Sequence, residues 1–346
     1  MKTFDTIFTQ IAKGDKKPHL LLGNGFSMAY DPSKFGYAVL ANRAAEQDLL
    51  PNLARVMMEH LGTSDFEKVM RTLSSAAETL RVIDPEQPLV QQLSEAVDEL
   101  REALAKSIAG LHPERPYEIS EKQYLSTREF LDRFGSIYTV NYDLLLYWSL
   151  MQNFPPDHLA KGQDDGFRDS GITGDNTVLW NIYSPHTQSI HYLHGALHLF
   201  LGEDGLRKIT WIRTADALID QARRQLEADR YPLYVAEGGS SEKLDKINRS
   251  AYLSKALRSL TACGGALTIY GHSLDANDEH VLQAIVRSKI SQIAISLYGD
   301  PKSAANREII QRAELLRVKR SQMPGGERRP LTVDFFDAGS VGLWAE

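Results

Sequence analysis

The stretch Pro18-His19-Leu20-Leu21-Leu22-Gly23-Asn24-Gly25-Phe26-Ser27 decides the fold. Its short apolar run, bracketed by Pro18 and Gly23, reads as a buried strand of a parallel sheet. The run breaks into Gly23-Asn24-Gly25, where the backbone can turn tightly and approach a ligand with no side chain between. Backbone amides freed at such a turn, ahead of a helix, form a phosphate cradle. The same residues also suit a plain turn, and the stretch alone leaves both readings open.

Outward from this turn the chain alternates between strands and helices. Phe4, Ile7, Phe8 and Ile11 fall at helical spacing before the strand. After Ser27, residues 28–37 form an aromatic, turn-rich piece, either a flap over a ligand or a surface loop pinned by its rings. From Ala38 to about Leu111 apolar residues recur every three or four positions, and Ser64-Asp65-Phe66-Glu67 has the form of a capping box opening a helix toward Ile83. A second long helix covers about Leu89 to Ala109. Residues 38–125 therefore read as a helical insertion between the first two strands, with 1–37 and 126–346 forming the sheet domain.

Parallel-sheet patterning returns at Ile137-Tyr138-Thr139-Val140, which runs into Asn141-Tyr142-Asp143 and a helix from Leu144 to Met151. Residues 152–181 read as a long polar loop. Ile190–Leu193 is a strand ending at His194-Gly195, and residues 209–212 and 233–235 are further strand candidates. One amphipathic helix is expected over 241–260. Ala266–Tyr270 is a strand ending in Gly271-His272-Ser273-Leu274, with a helix from Glu279 to Lys289. Ile293–Tyr298, a helix from Ala304 to Val318 and a last strand Leu331–Phe336 complete the pattern. Such alternation predicts an α/β fold around an open, mainly parallel sheet covered on both faces. Ligands of such sheets bind beyond the carboxyl ends of the strands. Gly23–Ser27, Asn141–Asp143, His194-Gly195 and Gly271–Ser273 all fall there.

Composition bounds the rest. The 346 residues suffice for two ordinary domains or one with a large insertion. With 42% hydrophobic and 24% charged residues the chain can bury a substantial core. A net charge of -6 argues against a nucleic-acid footprint or a basic membrane-binding face. The single cysteine, Cys263, excludes an intramolecular disulfide and a multi-cysteine zinc site, reads as a small buried apolar residue, and fits a cytoplasmic location. No stretch has signal-peptide or membrane-span character.

The ordered motifs resemble those of the sirtuin-like family. Gly23-Asn24-Gly25-Phe26-Ser27 is similar to its Gly-Ala-Gly-x-Ser loop, with Asn24 in place of Ala. Thr139-Val140-Asn141-Tyr142-Asp143 is similar to Thr-Gln-Asn-x-Asp, and Leu193-His194-Gly195 and Gly271-His272-Ser273 match its catalytic His-Gly and its later Gly-x-Ser. The four cysteines that hold the zinc ribbon of deacylating sirtuins have no counterpart. The chain therefore looks more like the bacterial sirtuin-like NAD hydrolases of anti-phage defence, which also carry a helical insertion. The resemblance implies a Rossmann-like, sirtuin-type sheet and cleavage of NAD to nicotinamide and ADP-ribose. It also implies a homo-oligomer, sometimes working with a hexameric DNA-translocase ATPase. A non-cleaving NAD or ADP-ribose sensor and a zinc-free deacylase or ADP-ribosyltransferase are the alternatives.

On that resemblance Asn141 positions the nucleophile and His194 acts as base, for which an imidazole pKa is suited. Gly23, Asn24, Gly25, Phe26 and Ser27 would meet the pyrophosphate, and Asp143 the nicotinamide carboxamide. Gly271 and Ser273 would bind phosphate or ribose oxygens, and Asp278 the adenine ribose. Structural alternatives stand beside these roles: a strained turn for Asn141, a backbone-bonded strand end for His194, and helix caps for Asp143 and Asp278. No metal site is expected: His191, His194 and His198 lie close in sequence, but His191 and His194 point to opposite faces of a strand. His272 and His280 receive no role, and Glu237 is a weaker candidate for the site.

Overall fold

A computed structural model describes residues 1–12, 17–152, 163–169, 171, 176–183, 188–210, 216–228, 230–236 and 239–346. The chain opens with α1 (Phe4–Ile11) and β1 (His19–Leu22). Helices α2 (Gly25–Tyr30), α3 (Pro32–Phe35), α4 (Tyr37–Glu46), α5 (Asn52–Leu61), α6 (Phe66–Ile83), α7 (Pro88–Leu111) and α8 (Glu121–Leu131) then lead to β2 (Ile137–Thr139). There follow α9 (Leu145–Met151), β3 (Phe167–Asp169), β4 (Thr177–Trp180), β5 (Ile190–Tyr192), β6 (Leu199–Gly202) and β7 (Gly205–Ile209). The rest comprises α10 (Leu218–Glu227), α11 (Ser240–Arg249), α12 (Ala251–Ala262), β8 (Gly264–Tyr270), α13 (Glu279–Arg287), β9 (Lys289–Leu297), α14 (Ala304–Gln322) and β10 (Thr332–Asp337).

Six strands form one all-parallel, Rossmann-like sheet in the order β10-β9-β8-β1-β2-β5. Leu20 and Leu22 pack into one apolar layer with α1 and the helices between β1 and β2. Leu21 packs into the other, with α12, α13 and α14. Alternate residues of a strand face opposite sides, so a sheet covered twice needs the uninterrupted Leu run. From β1 the chain moves outward to β2, and from β8 it moves outward the other way to β9. The switch point therefore lies between β1 and β8, at Gly23–Gly25 and Gly271.

The structure corrects several expectations. Residues 28–37 are not an open loop: α2 and α3 occupy them, with Asp31 capping α3 through Ser33 N at 2.9 Å. The box at the start of α6 is capped by Asp65, whose Oδ1 accepts from Glu67 N at 3.0 Å and Lys68 N at 3.1 Å, rather than by Ser64. The helix expected over 241–260 is two, α11 and α12, broken at Ser250, which caps the second. Part of the supposed polar loop forms β3 and β4, which join β7 and β6 in a small antiparallel sheet of order β3-β4-β7-β6. Its acidic residues are structural, Asp164 bonding Arg168 and Asp165 bonding Lys208. Leu233–Val235 contributes only one bridge, Tyr234 to Gly195. Cys263 is buried, its Sγ 3.0 Å from Tyr138 Oη. Glu237 lies outside the described residues.

Candidate functional site

At the carboxyl end of the sheet lies a cavity of about 700 Å³. That volume is in the range of small-molecule and cofactor sites. Eight expected site residues line it: Asn24, Gly25, Asn141, Asp143, His194, Gly271, Ser273 and Asp278. The motifs are thus brought together from strand ends far apart in sequence.

Gly23, Phe26 and Ser27 are not in the lining. Gly23 is held against the end of β8, where a Cβ would stand 2.6 Å from Gly271 O. Phe26 turns into the core, its ring 5.2 Å from Trp344, whose Nε1 donates to Phe26 O at 3.0 Å. The turn is also not the open amide cradle anticipated. The amides of Gly23, Gly25, Phe26, Ser27 and Met28 donate to the carbonyls of Tyr270, Gly271, Gly23, Asn24 and Asn24. The glycines serve close packing: a Cβ on Gly25 would lie 2.4 Å from Gly271 Cα. Asn24 adds a brace, its Nδ2 donating to Phe35 O at 3.0 Å and tying α3 to the turn.

Ser27 works from behind. Asn141 Nδ2 donates to Ser27 Oγ at 3.0 Å, and Ser27 Oγ donates to Asp143 Oδ2 at 2.5 Å. Asp143 Oδ1 accepts from Leu145 N at 2.9 Å, so this carboxylate caps the start of α9 as well as anchoring the relay. Burial raises the Asp143 carboxyl above its usual range, against the pull of those two donors. Asp143 therefore orients Asn141 through Ser27. With Nδ2 committed, the carboxamide is fixed in orientation, and no bond to Asn141 Oδ1 is seen among the described residues lining the cavity.

His194 follows β5, and its placement depends on Gly195. At φ 78° the chain turns under Leu233, where a Cβ would lie 1.8 Å from the Leu233 carbonyl oxygen. His194 Nε2 meets His280 Nε2 at 2.9 Å, with Asp278 Oδ1 at 3.7 Å and the Tyr142 ring stacked at 6.4 Å. Burial holds His194 well below its ordinary pKa, assisted by Lys243 and neighbouring histidines and opposed by Asp278. It is a neutral imidazole near pH 7, able to accept a proton.

Asp278 does not cap its helix; its side chain makes no cap bond there. Instead Oδ1 accepts from Lys243 Nζ at 2.9 Å and Oδ2 from His272 Nε2 at 3.1 Å. His272 Nδ1 accepts from Leu274 N at 2.9 Å, which fixes the proton on Nε2. Burial alone would raise the Asp278 carboxyl, but Lys243, His272 and His194 outweigh it and hold it well below the usual range. Lys243 is fully buried on α11 and also donates to Glu67 Oε2 at 2.6 Å, reaching across to α6. Glu67 Oε1 lies 3.1 Å from Tyr142 Oη. Burial raises Glu67 even against Lys243.

Sequence reasoning passed over Glu67, Lys243 and His280. The apolar spacing of their helices signalled which faces are buried, but nothing local shows which distant charge a buried Lys or Glu meets. One atom each from His194, Asp278 and His280 lies within 4.8 Å of the others, the spread of a cation site. Lys243 Nζ already takes Asp278 Oδ1, so the fixed positive charge at that carboxylate is an ammonium.

The fold and cavity define an α/β protein with a cavity at the switch point of a parallel sheet, where ligands of such sheets bind. Residues 20–344 match the model of a family described as a domain of unknown function, DUF4917, and the chain belongs to that family. No curated protein matches the chain. Among the described residues no helix is long and apolar enough to cross a membrane.

Proposed function

We propose that the protein hydrolyses NAD at the bond between nicotinamide and ribose. One observation carries this reading: Asn141 and His194, on separate strand ends, line the same cavity as the glycine turn at the switch point. A cavity of about 700 Å³ has room for a dinucleotide-class ligand. The Asn141 carboxamide, held by Ser27, presents its free oxygen to a ribose hydroxyl or to water. Nicotinamide leaves with the electron pair of the C–N bond, water forms the new C–O bond, and neutral His194 takes the released proton. With the amides of Gly23, Gly25, Phe26, Ser27 and Met28 bonded, the pyrophosphate is left to the Asn24 amide and to lining side chains such as Ser273. Control by self-assembly or by a partner ATPase belongs to the same proposal, because an unchecked hydrolase drains NAD.

The test is release of nicotinamide from NAD. Asn141→Ala and His194→Ala each lower turnover by about 10²–10⁴ with unchanged circular dichroism. Activity surviving both substitutions overturns the assignment. NAD binding with no nicotinamide release identifies a sensor, and release that requires an acylated peptide identifies a deacylase. Full-rate turnover by the isolated chain removes the regulatory part.

A further inference from the structure

We propose that His280 is a second proton carrier behind His194, so that the proton freed in the reaction leaves through a chain of two imidazoles ending at Ser240. The inference rests on the hydrolase reading above. Two ring nitrogens 2.9 Å apart hold one proton between them, because two bare lone pairs or two N–H groups would repel. His280 Nδ1 is 3.1 Å from Ser240 Oγ, which also accepts the His280 amide at 2.8 Å. Ser240 is half-buried, so the chain Nδ1(His194)–Nε2(His194)–Nε2(His280)–Nδ1(His280)–Oγ(Ser240) runs from the cavity toward the surface. No bond to His194 Nδ1 is seen among the described residues, and His194 lines the cavity where a substrate would sit.

Only two proton arrangements satisfy this chain. In one, Ser240 donates to His280, His280 Nε2–H donates to His194, and His194 Nδ1 carries a hydrogen and cannot act as a base. In the other, His194 Nε2–H donates to His280, His280 Nδ1–H donates to Ser240, and His194 Nδ1 is bare. The second is the reactive one. As the C–N bond breaks and water adds, one proton passes to His194 Nδ1 and the proton on His194 Nε2 passes to His280 Nε2. His194 ends neutral and His280 becomes the imidazolium, which gives up Nδ1–H through Ser240. No oxidant or metal is needed, and the proton count equals the one released in hydrolysis.

The groups facing the two rings come from every element around them. Asp278 and Glu279 favour the added charge and Lys243 opposes it, while Glu67 and His272 are tied to Lys243 and Asp278, and the Tyr142 ring stacks beside His194 at 6.4 Å. Asp278 is the nearest carboxylate and stabilises an imidazolium on either ring.

The experiment is long-range ¹⁵N-histidine NMR on the full chain without ligand, with His194 and His280 assigned from His194→Gln and His280→Gln. The expected result is Nε2–H on His194 and Nδ1–H on His280. The reverse pair of tautomers overturns the relay, and neither outcome depends on NAD turnover, so failure of the hydrolase reading is seen separately. His280→Ala then lowers kcat about 10–100-fold with KM unchanged, and added imidazole restores part of it. An unchanged kcat overturns the proposal. So does activity lost to a chelator and regained with a divalent cation, which would assign the cluster to a metal.

Discussion

On one side of the cavity Gly25 and Gly271 meet backbone against backbone. On the other, Glu67, Lys243, Asp278 and three histidines meet side chain to side chain. The first wall is shaped by the absence of atoms and carries no titrating group. The second is a charge network whose members come from α6, α11, α13 and two strand ends. A Cβ spoils the first wall by volume alone; the second wall loses its chemistry when one charge is left without its partner.

The largest effect expected from this contrast is at Lys243. Lys243→Met strands two carboxylates that are only 15% and 14% exposed, and removing one partner of a buried pair costs about 3–5 kcal/mol. Urea denaturation should show that loss, easing at low pH as Glu67 protonates. A loss under about 1 kcal/mol would show that the charged wall stands without its cation. Next comes Gly25→Ala, whose Cβ would lie 2.4 Å from backbone that cannot rotate away. Overpacking of that kind costs about 3 kcal/mol, and it should do so equally at pH 7 and pH 5. A pH-dependent cost would break the distinction between the two walls.

The smallest effect is the titration of the charged wall. Burial holds His280 down to about 4, against an unfolded value of 6.5. The folded state binds fewer protons than the unfolded one in that interval, so stability is intact above pH 6.5 and is lost as pH falls toward 4. At pH 5 the penalty from this residue is about 2 kcal/mol. The drop in stability from pH 7 to pH 5 should be smaller by that amount in His280→Gln than in the natural protein. His112 and His191, also buried and depressed, contribute equally to both. Identical drops would place the His280 proton elsewhere.

The same contrast explains what was legible in the sequence. The strands of the parallel sheet are buried on both faces, so Leu20–Leu22, Ile137–Thr139 and Ala266–Tyr270 read as apolar runs, and their glycine-bearing ends marked the crevice. The small sheet escaped because β3 and β4 are only three and four residues long and mostly half-exposed, too short for an alternating pattern to stand out. Gly202-Glu203-Asp204-Gly205, joining β6 to β7, was its one local hairpin signal. Glu67 and Lys243 escaped for another reason: they are 176 positions apart, and each alone reads as a charged residue on the face of an amphipathic helix. Asp278 was read either as a ribose contact or as a cap, because Asp before a helix ordinarily is one. Here Lys243 and His194, from distant parts of the chain, and the nearby His272 surround its carboxylate instead.

The most direct test of the central claim, one dinucleotide spanning both walls, is calorimetric titration of NAD into the Asn141→Ala, His194→Ala double variant. The account predicts saturable binding of about one NAD per chain with no nicotinamide released, since the cavity remains while the reacting groups are gone. Absence of NAD binding to both this variant and the natural protein would contradict it.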